Sequence, residues 1–285
     1  ADELSLYGRF DFILAKDGTP KILEFNADTP TSLLEASVIQ WQWKEDVFPE
    51  CDQFNGIHEG LVQSWKDIFP KKGEIHFAGA LENNEDTGTL QYLASTAMEA
   101  GFSTRVLDMQ ALDLQNGRFF DPAGELVNRC FKLYPWEWMV DESPDGCLAE
   151  MEWLEPIWKL VMSNKAILAT LYELFPDSPY VLPCYLSRPR SGLFCKKPVF
   201  SREGHNVSVV DIRNWEEHVR IAETEGDYNT GAYVYQEYVE PTVYSGRYPV
   251  IGSWIIGGEA AGIGIRENRM EVTDNLSEFV PHIIG

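Results

Sequence analysis

At 285 residues the chain can bury a substantial core without disulfide staples. Aliphatic and aromatic residues make up 44% of it, yet charges interrupt every apolar run before the roughly 18 to 20 residues needed to cross a bilayer. The 45 acidic and 23 basic residues leave a formal charge of −22, which repels nucleic acid and anionic membranes and suits a cationic small molecule, or simply keeps a protein in solution.

The five cysteines, Cys51, Cys130, Cys147, Cys184 and Cys195, are scattered without a CxxC pair, so neither a disulfide framework nor a structural zinc site is indicated. The sequence opens Ala1-Asp2-Glu3 with no basic leader or apolar h-region, compatible with a cytoplasmic protein and with a fragment of a longer one.

Residues 5–26 read as a β-hairpin, two apolar/polar alternations around the turn Lys16-Asp17-Gly18-Thr19-Pro20. Residues 31–69 read as helical. From 74 to 139 the pattern becomes strand (75–81), helix (87–100), strand (104–107) and a further apolar stretch at 126–133, a small α/β layer. Residues 152–175 read as helical with Asn164 and Lys165 inside the pattern. Short strands follow at 193–199, 232–239, 250–256 and 260–265, an antiparallel sheet with a Gly257-Gly258 hairpin turn. The clusters Trp41-Gln42-Trp43 and Tyr134-Pro135-Trp136-Glu137-Trp138 fit core packing better than a substrate pocket.

The chemistry concentrates in the hairpin. Side chains alternate faces along a strand, so Arg9 and Asp11 share one face of the first strand, and Glu24 and Asn26 share one face of the second. A register pairing Asp11 with Glu24 also pairs Arg9 with Asn26 and brings all four together. Two carboxylates directly opposed repel unless a cation lies between them, and with an amide oxygen they form a hard donor set suited to Mg²⁺. An equally economical reading is a solvated face on which Arg9 pairs with both carboxylates.

The segment Cys195-Lys196-Lys197-Pro198 carries lysines to a polar loop turning at Gly204, a means of holding phosphates that ordinary loops also imitate. The strand Val234-Tyr235-Gln236-Glu237-Tyr238-Val239 could offer backbone edges to an adenine, and Arg266 ends a glycine-rich strand. There is no GxxxxGK[ST] loop, and Gly262-Ile263-Gly264 lacks the third glycine of a dinucleotide fingerprint. His58, His76, His205, His218 and His282 show no ligand spacing, and no nucleophile elbow is present.

The blocks GRFDF (8–12), LEFNADTPTSLLEA (23–36), DTGTLQYL (86–93), FKLYPWEW (131–138), WLEPIWK (153–159), SNKAIL (163–168), KKPVFSREGHNVS (196–208), VYQEYVEP (234–241), IGSWII (251–256) and AGIGIRE (261–267) occur in the order seen in one family. The chain resembles the synthetase part of glutathionylspermidine synthases, and more closely their stand-alone relatives named acid–amine ligases. The resemblance implies an α+β architecture: a circularly permuted, glutathione-synthetase-like ATP-grasp fold with an inserted α/β substrate-side layer. Residues 1–44 would be the first ATP-grasp part, 45–151 the substrate layer and 152–285 the second ATP-grasp part, because the metal carboxylates precede the phosphate lysines.

It further implies ATP and Mg²⁺, two ions being expected, with Asp11, Glu24 and Asn26 as metal ligands and Arg9 stabilising the transferring phosphoryl group. Lys165 and Lys197 match the ATP-phosphate lysines, and Gly204 the phosphate-covering loop. Gln236, Glu237, Tyr238 and Val239 match the adenine-contacting strand, and Glu271, Val272 and Thr273 a later nucleotide contact. Thr29 and Glu137 fall where the family contacts its acid, and Arg266 matches a mobile-loop arginine.

Thr29-Pro30-Thr31 replaces the serine-containing run of true glutathionylspermidine synthases, and Val250 replaces an ATP-contacting glutamine. Relatives also carry roughly a hundred residues before the Arg9 motif, and no amidase domain is visible. The resemblance implies an amide-forming ligase joining a peptide- or glutathione-like acid to an amine, a polyamine being one candidate, through an acyl-phosphate. Its expected partners are these small molecules, not nucleic acid or membrane. Alternatives are a non-catalytic nucleotide-binding module and ligation to a thiol or another acceptor.

Overall fold

Alternation first becomes structure at the start of the chain, where β1 (Tyr7–Leu14) and β2 (Pro20–Asn26) pair antiparallel. The computed structural model describes residues 5–202, 204–213, 218–226, 231–269 and 277–285. The connecting turn forms as its residue types demand: Gly18 takes φ +83°, the Asp17 carboxylate accepts the Thr19 amide at 2.9 Å, and the Gly18 amide donates to Ala15 O at 2.8 Å.

The helical stretch expected over 31–69 is interrupted. A π-helical turn (Glu35–Ile39) runs into α1 (Gln40–Val47), an irregular segment follows, and α2 (Ile57–Ile68) resumes. Phe48 leaves the helical region (φ −136°, ψ 59°) because the ring of Pro49 crowds a helical predecessor. Along α2, Ile57, Leu61, Val62 and Trp65 are buried, the spacing of one helix face.

The middle of the chain is the expected α/β layer. β3 (Glu74–Gly79), α3 (Asn84–Glu99) and β4 (Ser103–Asp108) come first. Asn83 caps α3 by accepting the Glu85 amide, and Glu85 and Asp86 place negative charge at its N-terminal end. A small meander of β5 (Asp113–Gln115), β6 (Arg118–Phe120) and β7 (Leu126–Val127) leads to β8 (Arg129–Leu133), α4 (Trp136–Glu142), α5 (Pro144–Cys147) and β9 (Glu152–Leu154). The main sheet of this layer is parallel, in the order β4-β3-β8-β9.

The single helix expected over 152–175 is instead β9, then α6 (Lys159–Ser163), a break, and α7 (Ile167–Leu174). Pro156 lies between β9 and α6, and Asn164 is extended (φ −75°, ψ 128°) with its side-chain oxygen accepting the Ala166 amide at 2.8 Å. Asn164 therefore restarts a helix instead of continuing one.

The last third forms β10 (Cys184–Tyr185), β11 (Gly192–Pro198), β12 (Ser208–Ile212), β13 (His218–Glu223) and β14 (Tyr233–Glu237), an antiparallel sheet in the order β10-β14-β11-β12-β13. Then β15 (Tyr248–Ile256), β16 (Glu259–Asn268) and β17 (Glu278–Val280) return to the opening hairpin, giving the order β17-β16-β15-β1-β2. Gly257 and Gly258, at φ +58° and +91°, supply the turn expected between β15 and β16.

One apolar core joins Tyr7, Trp254 and Ile256 of this sheet through Leu61 and Trp65 of α2 to Phe77 and Phe131 of the parallel layer. Of the two tryptophan clusters expected in the core, Trp136 is buried at 1% exposure, but Trp138 and Trp41 are 41% and 51% exposed. On short helices only the inward-facing residue of such a cluster reaches the core. Among the described residues, no helix is long and apolar enough to cross a membrane.

Candidate active site

Of the registers that alternation allows, the one observed places Asp11 opposite Glu24 and Arg9 opposite Asn26, with an irregularity between Asp11 and Phe12. β1 is interior to its sheet, so its polar face is walled by β15 as well as β2. Arg9 and Asp11 are 4% and 2% exposed. Arg9 Nε and Nη2 donate to the two Asp11 oxygens at 2.6 and 3.0 Å, and Nη1 donates to Thr31 O. The Asn26 amide bridges the carboxylates, donating to Asp11 Oδ2 at 3.3 Å and Glu24 Oε1 at 3.2 Å. Across the sheet Gly252 makes room for Arg9, since a Cβ there would lie 2.7 Å from Arg9 Cδ.

Three further cations close on this face. Lys165 Nζ lies 3.0 Å from Glu24 Oε2 and donates to Ser201 O at 2.7 Å. The break at Asn164 places it there: the Lys165 amide bonds Val199 O at 3.0 Å instead of a carbonyl one helical turn back. Arg266 Nη2 reaches Asp11 Oδ2 at 2.7 Å. Buried Lys197 donates to Leu23 O at 3.0 Å and Gln236 Oε1 at 2.8 Å, and Gln236 donates in turn to Ile22 O at 2.8 Å.

The electrostatics follow from burial and partners. Burial works to raise the Glu24 pKa, but Lys165 and then Lys197 outweigh it and hold the carboxyl well below its ordinary range. For Arg9, burial is opposed by Asp11 and Glu24, and the net effect is upward. Burial dominates at Lys197 and lowers its pKa, and burial followed by repulsion from Arg9 lowers that of Arg266. The solvated-face reading is corrected: the face is buried at Arg9 and Asp11, Arg9 and Arg266 neutralise Asp11, and Glu24 pairs with Lys165 instead of Arg9. Among the described residues no three His, Cys, Asp or Glu side chains form a metal cluster; the candidate set here is two carboxylates and one amide.

The remaining expected residues divide. Gly204 takes φ +70°, a left-handed turn that glycine favours. β14 lies between β10 and β11, and the amides of Glu237 and Tyr238 are engaged with Pro183 O (2.7 Å) and Leu193 O (2.9 Å), so those two donors are already used. Val239 follows directly. Glu271, Val272 and Thr273 lie outside the described residues. Val250 is buried opposite Arg266.

Thr29 and Glu137, 108 residues apart in sequence, are joined by a residue that the sequence reading assigned no role. Arg202 Nη1 donates to Thr29 Oγ1 and Nη2 to Glu137 Oε1, both at 2.6 Å, and its guanidinium sits 6.0 Å from the Trp138 ring centroid. Its motif, Ser201-Arg202-Glu203-Gly204, was visible, but no local periodicity signals contacts across 173 and 65 residues.

The family model described as glutathionylspermidine synthase preATP-grasp matches residues 1–285. A Haemophilus influenzae protein provisionally named an acid–amine ligase is 39% identical over 97% of this chain and 74% of its own length. The chain is also similar to the trypanothione synthetase of Crithidia fasciculata (28% identity, 95% of this chain, 46% of that protein) and the bifunctional glutathionylspermidine synthetase/amidase of Escherichia coli (26%, 97% and 49%). It thus spans about half the length of these last two.

Among solved structures, a glutathione synthetase-like effector from Globodera pallida superposes with a TM-score of 0.61 at 10% identity, covering 99% of this chain and 77% of that one. A provisionally named γ-glutamylcysteine synthetase from Methylobacillus flagellatus gives 0.62 at 10% identity, covering 98% and 80%. These likenesses concern the fold: a mixed α/β architecture with glutathione-synthetase-like neighbours. The match over the whole chain and the 39% identity to the Haemophilus protein place this chain in the glutathionylspermidine synthase family.

Proposed function

We propose that the chain is the catalytic part of an ATP- and Mg²⁺-dependent ligase that joins a carboxylic acid to an amine through an acyl-phosphate, releasing ADP and phosphate. The observation that carries this reading is the convergence of Arg9, Asp11, Glu24 and Asn26 on one hairpin face with Lys165, Arg266 and Lys197 around it. The family membership and the names of its relatives support it. In this reading the antiparallel sheets of residues 1–44 and 152–285 are the two parts of a permuted ATP-grasp unit, and 45–151 is the substrate layer.

Asp11, Glu24 and Asn26 would hold Mg²⁺, expected as two ions. The residue types fit it, because the two carboxylates are bridged by one carboxamide, its nitrogen 3.3 and 3.2 Å from them, and carboxylate and amide oxygens are the hard donors it prefers. The Asn26 amide would present its oxygen in place of its nitrogen. Bound there, the metal would neutralise polyphosphate charge and orient the γ-phosphate.

This chain's own residues supply the rest. Lys165 and Lys197 are point charges for the triphosphate, and Gly204 lets the loop backbone approach it. Gln236, Glu237, Tyr238 and Val239 would line the adenine, with Glu271 to Thr273 as a later contact. The acid is held by Thr29, Glu137 and Arg202 with its carboxylate aimed at the γ-phosphorus. Arg9, already held by Asp11, stabilises charge as the P–O bond to ADP breaks and the bond to the acid oxygen forms. Arg266 leaves Asp11 to cover the acyl-phosphate. The amine then attacks the acyl carbon, phosphate departs with the bonding pair, and the amine's proton is lost to solvent.

The test is ADP release from Mg·ATP by the full-length protein against a panel of acids, peptides and polyamines, with Asp11→Asn as control. Turnover that needs both an acid and an amine and vanishes in the control is the expected result. Nucleotide binding without turnover on any combination would replace the ligase with a binding module, and turnover with thiols alone would replace the amine.

A further inference from the structure

Beneath the hairpin lies a second charged cluster that none of these roles uses. Asp28, Lys132, Glu155 and Lys159 are 1%, 0%, 0% and 2% exposed. Burying a charged group costs several kcal/mol before pairing, so a fold that keeps four ionisable side chains in its interior has specific contacts to make. The pairs are Lys132 Nζ with Asp28 Oδ1 at 2.6 Å and Lys159 Nζ with Glu155 Oε2 at 3.3 Å.

Their remaining hydrogen bonds run to segments that carry site residues. Asp28 Oδ2 accepts the Trp136 amide at 2.9 Å, directly before Glu137. Lys132 Nζ also donates to Tyr134 O at 3.0 Å. The Asp28 amide donates to Ser163 Oγ at 2.9 Å, two residues before Lys165. Asp28 itself lies between Asn26 and Thr29. On the hairpin side Lys159 Nζ donates to Tyr7 O at 2.8 Å and Ala27 O at 2.9 Å, and Glu155 Oε1 accepts the Leu6 and Tyr7 amides at 3.0 and 3.1 Å. The Trp136 indole N–H closes the network on Glu155 O at 3.0 Å.

We infer that the buried Asp28–Lys132 pair is a positioning device that sets the acid-binding side chains Thr29 and Glu137 in register with the phosphoryl-transfer side chains of the hairpin, an inference that rests on the ligase reading above. Asp28 is the point where the exit of β2, the start of α4 and the end of α6 are tied together. Neither Asp28 nor Lys132 needs to touch substrate. Their effect is geometric, and a displacement of Glu137 relative to Arg9 would separate the acid from the γ-phosphate.

The discriminating variant is Asp28→Leu combined with Lys132→Met. It removes both charges, with Met close to Lys in volume and Leu branched like the carboxylate though larger, an apolar replacement of a kind that buried ion pairs often tolerate without unfolding. Hydrogen–deuterium exchange on the full chain then separates positioning from plain stabilisation, with Mg·ATP affinity measured on the same samples. The expected result is exchange about tenfold or more faster in peptides covering 27–31 and 135–142, from loss of the acceptor for the Trp136 amide, while the 9–26 hairpin stays within about twofold of wild type. Affinity for Mg·ATP should also stay within about twofold. Exchange that rises equally in all three segments would overturn the proposal in favour of a purely structural pair, and unchanged exchange at 135–142 would overturn it outright. A wild-type chain that fails to bind Mg·ATP would count against the ligase reading alone, because the exchange pattern needs no nucleotide.

Discussion

Asparagine at position 11 removes the charge on which two guanidinium groups converge. Asp11 accepts from Arg9 at 2.6 and 3.0 Å and from Arg266 at 2.7 Å, and the Asp11, Arg9 and Arg266 side chains are 3%, 5% and 20% exposed. In the variant Arg9 remains a buried cation whose further attraction comes from Glu24 and Glu35. Removing one partner of a buried pair costs about 3–5 kcal/mol. The asparagine oxygen still accepts from Arg9, so the lower end, about 3 kcal/mol, applies; at about 2 °C per kcal/mol for a chain of this length, Tm falls by about 6 °C. Glu24→Gln provides the comparison. The Glu24 side chain is 28% exposed and its partner Lys165 keeps a bond to Ser201 O, so the loss is about 1 kcal/mol, or about 2 °C. Differential scanning fluorimetry near neutral pH, without nucleotide or divalent metal, reads both. An Asp11→Asn protein melting within about 1 °C of wild type, or a larger fall for Glu24→Gln, would refute Asp11 as the counter-ion centre of the site.

Glu24 also carries a pH dependence of defined sign. Burial would raise its pKa, but Lys165 and Lys197 lower it, so as pH falls the unfolded chain takes up this proton first. The stabilisation it supplies should be complete above about pH 5 and drain away below its unfolded pKa of about 4.3; the Tm difference between wild type and Glu24→Gln should therefore shrink on acidification below that value. Arg202→Ala should leave Tm within about 2 °C, since its side chain is 27% exposed, while acid-dependent ADP release falls about 10- to 100-fold with the loss of one or two charge-assisted bonds. Gly257→Ala should destabilise the protein by at least about 1–2 kcal/mol in urea titration, because φ is +58° and the new Cβ would lie 2.5 Å from Ser64 Oγ. Gly258→Ala, at φ +91° with nothing within 4 Å, should cost less.

The part of the candidate site that was legible in advance lies within a single hairpin. Period-two alternation and the Asp17-Gly18 turn leave few registers that stack Phe10 on Phe25 (ring centroids 4.0 Å apart), and the one observed places Arg9, Asp11, Glu24 and Asn26 together. Two helices expected from apolar spacing are divided by local breakers. The apolar pattern of 152–175 suited one helix, but Pro156 and Asn164 divide it, and the division is what turns Lys165 toward Glu24. Pro49 likewise ended the helix expected to continue to residue 69.

The sequence by itself therefore determined the hairpin, the polar face that its four residues share, the α/β layer and, through ordered motifs, the family, because each depends on spacing over a few residues or on the order of such blocks. Tertiary structure alone decided which distant groups meet: Arg266 on Asp11 across 255 residues, Arg202 between Thr29 and Glu137, and Lys132 on Asp28 across 104. These contacts form because the last strands return beside the first and the parallel layer packs on the same core. No periodicity encodes them; long-range pairing is selected by the free energy of the whole core, in which a charged side chain finds its partner only after the sheets that carry both have closed together.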